Sequence, residues 1–243
     1  MILLKANVID ISAARWNMST ALLKNPFYVN IIPDSSNLKR YYYGGNQIWF
    51  KGKIKTHGCG IIAATDMIIY LCRKHQIHDF HDIIDKNISI DDYKDFLNEM
   101  YKPFKKGFMY HLIGLSPRKV IDYIKQNCPL QNIRFKFCLT DKMGKASLHK
   151  YICDMLNEDI PVITRIGYNF KNLKAQMTNS AANTIKESSI NWHYITITQM
   201  HSDLERGTTA VIFSSWGKIG NMSFDDFYEH LGFTGGIFIA EYT

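Results

Sequence analysis

After Gly60 the chain runs apolar almost without interruption through Ile61, Ile62, Ala63, Ala64, Met67, Ile68, Ile69 and Leu71. Only Thr65, Asp66 and Tyr70 break the run, so a helix here is buried on most of its circumference and lies at the centre of a core. The helices predicted downstream carry narrower stripes. Tyr93, Phe96, Leu97 and Met100 repeat at helical spacing behind Ser89-Ile90-Asp91-Asp92, an N-cap with early carboxylates. Ser116-Pro117 opens a helix with Val120, Ile121 and Ile124 as its stripe, which stops at Cys128-Pro129. Leu148, Tyr151, Ile152, Met155 and Leu156 mark another. At Ile133, Phe135, Phe137 and Leu139 the period falls to two, the signature of a half-buried strand. Ile160–Thr164, Trp192–Met200, Thr209–Ser214 and Gly236–Tyr242 read as further strands, with a capped helix start at Ser223-Phe224-Asp225-Asp226 before the last. A helical middle followed by a sheet in the last third is an α+β order.

Before this pattern begins, residues 1–40 show no strong period and read as an N-terminal extension packed on a domain spanning 41–243. Within it, Ser12 to Leu23 is predicted as a short helix, and Asn25-Pro26 and Pro33-Asp34-Ser35-Ser36 as turns. Tyr41 to Phe50 places aromatic residues on both sides of Gly44-Gly45-Asn46, the pattern of a hairpin turn. Tyr168 to Ser189 is polar and without period, an exposed loop beside whatever site the sheet carries.

Composition bounds the function without naming it. In 243 residues, 46% are hydrophobic and 21% charged, enough apolar material for one large core. No apolar run approaches the length of a membrane span, and the N-terminus is too short in apolar residues for a secretory signal, so the cytoplasm is the expected location. Five scattered cysteines without a Cys-x-x-Cys pair argue against both a disulfide framework and a zinc knuckle. The net charge of +7 is spread along the chain and not gathered into a basic motif, so no nucleic-acid partner is expected. His75, His78 and His81 with Asp79 and Asp82 fall at a helix end, where their spacing would carry them around the axis and not onto one metal; no metal and no cofactor are expected.

The candidate chemistry begins at Thr56-His57-Gly58-Cys59-Gly60. A glycine-flanked turn delivers a thiol to a helix N-terminus, where the macrodipole favours thiolate. Far downstream, His193 lies near the start of the Trp192–Thr198 strand, and the next strand ends in Ser214-Ser215-Trp216-Gly217. Cysteine, distant histidine, then Ser-Trp-Gly is an order similar to that of papain-like cysteine peptidases. The layout from about Tyr41 to Tyr242 resembles most the bacteriocin-processing, double-glycine branch, whose nucleophile also sits in a Gly-Cys-Gly turn. The resemblance implies a helical half carrying the nucleophile, packed on an antiparallel sheet carrying the histidine.

It also implies roles. Cys59 would attack an acyl carbonyl of a peptide or amide substrate, with His193 as general base and then acid. Ser214 stands where these enzymes have an asparagine that orients the histidine, and Gln47 is the first choice for the side-chain oxyanion donor, with Asn46 second; papain's own position for that glutamine falls on Lys53. Gly58, Trp192 and Trp216 are the candidate substrate-binding residues, and His57 is a weaker rival base. The implied activity is a cysteine peptidase or amidase. Alternatives are a catalytically impaired peptide-binding relative and an acyltransferase of the same fold. Oligomeric state is not specified by the sequence.

Overall fold

A computed structural model describes residues 18–33, 41–77, 88–104, 115–168, 173–179, 184–232 and 234–242. The metal reading at His78 and His81 falls outside them. Among the described residues the chain combines six α-helices with two sheets, an α+β architecture.

The larger sheet is antiparallel throughout. Its strands run in the order β5 (Ile133–Leu139), β12 (Gly236–Tyr242), β6 (Val162–Ile166), β9 (His193–Asp203), β10 (Thr208–Ser215), β11 (Lys218–Ser223), β7 (Leu173–Asn179) and β8 (Thr184–Ile190). β9 is its axis. β6 pairs with residues 193–197 on one side, and β1 (Met18–Leu22) takes over along 199–203. Every position of β6 and of β9 from His193 to Thr198 is buried, which requires cover on both faces of the sheet. Two helices supply it: α2 (Cys59–Lys74) and α5 (Lys145–Asn157) both pack on β6 and β9. The remaining helices are α1 (Gly52–His57), α3 (Ile90–Tyr101), α4 (Pro117–Asn127) and α6 (Phe224–Glu229). Ser89, Ser116 and Ser223 each accept a hydrogen bond from the third backbone N–H beyond them, as their N-cap patterns predict.

Three expectations are corrected. Met18–Leu22, inside the segment read as a helix, is a strand, and this β1 is hydrogen-bonded into the main sheet; β2 (Asn30–Ile32) joins β3 (Tyr42–Tyr43) and β4 (Ile88–Ser89) in a small second sheet. The described part of residues 1–40 is thus built into both sheets. Gly44-Gly45-Asn46 does not close a hairpin, because β3 pairs backwards with β2 while Gln47–Trp49 coils into a 3₁₀ turn. The polar stretch after Tyr168 is not all loop. β7 and β8 form an edge hairpin whose buried residues are Leu173, Ala175, Met177 and Ile190, with β8 otherwise exposed or half-buried. No helix among the described residues is long and apolar enough to cross a membrane.

Candidate active site

The helix that carries Cys59 is preceded directly by another. α1 ends and α2 begins at Gly58, whose N–H closes α1 on Ile54 O and whose carbonyl accepts from Ile62 N–H. Gly60 then explains the second glycine of the motif. A Cβ there would lie 2.9 Å from Val120 and 3.1 Å from the Tyr194 ring, so only glycine lets the first turn of α2 settle on β9 next to His193.

Cys59, Ile62, Ala63 and Asp66 form one stripe of α2 and line a cavity together with Gly45, Gln47, His193, Tyr194, Thr196, Ser214, Ser215 and Trp216. The structure therefore brings Cys59, His193, Gln47, Ser214 and Trp216 to one place. It leaves Gly58, Trp192 and His57 off the cavity wall. The space is small, about 10 Å³, close to what one water needs.

His193 is held by the hairpin that follows it. Trp216 and Gly217 form the two-residue connection between β10 and β11, and both have left-handed backbone, φ 51° and 69°. A tight turn of that type suits glycine, but tryptophan adopts it at a cost in strain. The return is geometric: the Trp216 ring stacks on His193 with centroids 4.2 Å apart and planes at 28°.

The ring's hydrogen bond goes to Ser215, not to Ser214. Ser215 Oγ lies 2.7 Å from His193 Nε2, whereas Ser214 Oγ donates to Tyr43 O at 2.6 Å. This corrects the orienting role expected of Ser214, which ties β10 to the segment before Gly44. When Nε2 carries the ring proton and donates to Ser215, Nδ1 is left as the acceptor for a thiol proton. Ser215→Ala is accordingly expected to slow alkylation of Cys59 about tenfold by freeing the ring, the scale of one hydrogen bond. Ser214→Ala leaves that bond in place and should cost about 1 kcal/mol of stability instead. Iodoacetamide kinetics and thermal melts of the two variants separate these outcomes.

Electrostatics put the resting site in its neutral form. Burial pushes the Cys59 thiol above its ordinary value, although backbone N–H groups of Tyr194, Gly60 and Cys59 and the charge of Arg165 pull the other way. Burial lowers His193 to about 3. Among the described residues no hydrogen bond joins the sulfur to the ring, a geometry common before substrate binds.

The amide of Gln47 donates to Lys55 O at 3.0 Å, and its Oε1 is buried without a partner. Formation of α1 between the two motifs is what brings Gln47 back to the thiol. Asn46 is committed elsewhere: its Nδ2 donates to Trp216 O at 2.8 Å and its Oδ1 accepts from Ile48 N–H at 3.1 Å.

Sequence reading passed over Asp66, although it was visible as a lone carboxylate within the apolar run, seven residues after Cys59. Its oxygens accept from Gly45 N–H at 3.0 and 3.1 Å and from Tyr93 O–H at 2.7 Å. Burial pushes its carboxyl up to about 7, with those donors pulling down. Asp66 holds the 44–47 segment to α2, while Asn46 holds it to the Trp216 turn, so the segment bridges the two walls of the site. Among the described residues no group of three or more His, Cys, Asp or Glu is placed to hold a metal ion.

No protein-family model matches the chain, and no curated protein matches it in sequence.

Proposed function

We propose that this protein is a thiol hydrolase of papain-like fold, a cysteine peptidase or amidase that works through a Cys59 acyl-enzyme. The observation that carries the reading is the shared cavity: a thiol at the first residue of a buried helix and a strand histidine, stacked under Trp216 and hydrogen-bonded by Ser215, open onto the same space. The order of the motifs along the chain, Gly-Cys-Gly, histidine strand, Ser-Trp-Gly, supports the same reading.

The mechanism follows from the neutral resting state. His193 Nδ1 takes the thiol proton as Cys59 Sγ attacks the acyl carbonyl, and the imidazolium returns it to the leaving amine. The oxyanion develops beside the N-terminus of α2, where the backbone N–H of Cys59 is a donor, and the Nε2 of Gln47 becomes a second donor once it leaves Lys55 O. Water attack on the thioester, with His193 as base again, releases the acid.

Intact-mass spectrometry during turnover of an activated ester tests this. A mass increment on Cys59 that decays with time is expected, and it should be absent from Cys59→Ala. Decay accelerated by an added amine, with amide as product, would indicate the acyltransferase alternative. No increment at all would leave the impaired, peptide-binding alternative.

A further inference from the structure

Arg165 is the fourth of the five residues of β6, and the other four, Val162, Ile163, Thr164 and Ile166, are all buried. It is 9% exposed, a charged side chain nine-tenths withdrawn from water. Such a charge is ordinarily paired. Among the described residues Arg165 has no carboxylate partner; its one hydrogen bond runs from Nη1 to Thr234 O at 3.1 Å. Thr234 adds a second unfulfilled group, since its Oγ1 is buried with no partner. On the other side the guanidinium lies 5.4 Å from the ring centre of Trp192, whose backbone is also left-handed, φ 49°.

The sheet register says where this charge points. Arg165 is directly opposite Tyr194, and directly opposed residues of an antiparallel pair share a face. Tyr194 faces the first turn of α2, because its ring lies 3.1 Å from where a Cβ at Gly60 would stand. Arg165 therefore shares the face of the sheet on which the first turn of α2, and with it Cys59, packs, and its charge is the smallest of the influences that pull the thiol down.

We propose that Arg165 and the Thr234 hydroxyl, walled by Trp192, form a carboxylate-binding subsite beside Cys59, so that the substrate carries a carboxylate close to the bond that is cleaved. The inference rests on the thiol-hydrolase reading and adds the substrate class to it. A planar guanidinium with unused donors and an adjacent hydroxyl match two carboxylate oxygens, and the apolar wall strengthens the pairing by excluding water. An acidic side chain and a free chain terminus present the same group.

The test compares iodoacetate with iodoacetamide, two alkylating agents of similar size that differ in charge. The rate ratio at Cys59 is read against the same ratio for N-acetylcysteine. A ratio above that of the free thiol is expected, falling about fivefold in Arg165→Gln, the scale of one charge at close range, and largely kept in Arg165→Lys. Lys51→Gln, which removes an exposed charge next to α1, should leave the ratio within twofold. Thr234→Ala should lower it without altering the charge. Protection from iodoacetamide by N-acetylglycine, but not its amide, would assign a terminal carboxylate. Protection by N-acetylaspartate amide would assign an acidic side chain, and protection by neither would overturn the subsite. A wild-type ratio no higher than that of N-acetylcysteine, or a ratio unmoved by Arg165→Gln, would also overturn it. A Cys59 inert to both reagents would instead overturn the hydrolase reading, and this inference with it.

Discussion

His193→Gln is expected to slow acylation of Cys59 by about 10²- to 10⁴-fold, the usual contribution of a positioned general base. Glutamine keeps comparable bulk under Trp216 and a polar end for Ser215, so the loss reports the base and not a collapsed wall. The effect is large because the thiol cannot compensate. Burial holds Cys59 above its ordinary thiol value, and with no acceptor for its proton the nucleophile stays protonated at neutral pH. Single-turnover release of p-nitrophenol from a p-nitrophenyl ester measures the step directly. A rate within tenfold of wild type would mean that His193 is a packing residue stacked on a tryptophan.

The second large effect concerns stability against pH, where two buried groups of the site act in opposite senses. Asp66 titrates at about 7 when folded against 3.8 in its unperturbed state, a gap on the order of 4 kcal/mol. A raised carboxyl binds its proton more tightly when folded, so its contribution is full below about pH 4 and is lost as pH rises toward 7. His193 is the reverse: its folded value of about 3 lies below the ordinary 6.5, so its contribution is full above about pH 6.5 and is lost as pH falls toward 3. In the intact protein the two slopes oppose each other between about pH 4 and 6.5. Asp66→Asn should leave a protein whose melting temperature rises through that window, and His193→Gln one whose melting temperature falls. Other titrating groups, His75 and His201 among them, are common to all three proteins and cancel in the comparison. Thermal melts at half-unit pH steps test this; parallel curves would show that neither group is held as the structure implies.

How much of this was legible in the sequence depends on what each residue's role is made of. Cys59 and the helix behind it could be read because glycines, an apolar run and a capping position are local properties. The distant histidine strand could be read because its β-branched alternation is local and the strand after it ends in an unusual Ser-Trp-Gly turn. The identity of the serine that holds the ring could not. β10 shifts register against β9 between Ile212 and Phe213, and a one-residue change exchanges which side chain meets a given neighbour. The resemblance to papain-like enzymes implies Ser214, in the place of their asparagine; the irregular register gives the contact to Ser215. Arg165 was hidden by its setting, one charge inside Val-Ile-Thr-Arg-Ile, where pattern reading sees only a buried strand. The β7–β8 hairpin was missed because an edge strand exposed on both faces, such as Thr184–Ser189, lacks the apolar alternation that marks a strand. The segment that carries Gln47 back to the thiol depends on a six-residue helix too short to show any period.

The site's central claim is that a neutral thiol reacts through a neutral imidazole, and the pH dependence of Cys59 alkylation tests it most directly. With iodoacetamide and peptide mapping, the Cys59 rate should be nearly level from about pH 5 to 8, between the titration of His193 below and of the thiol above, and should outpace Cys72, Cys128, Cys138 and Cys153. His193→Gln should abolish the plateau. A Cys59 rate that climbs tenfold with each pH unit across that range, in wild type and variant alike, would show a solitary thiol and contradict the account.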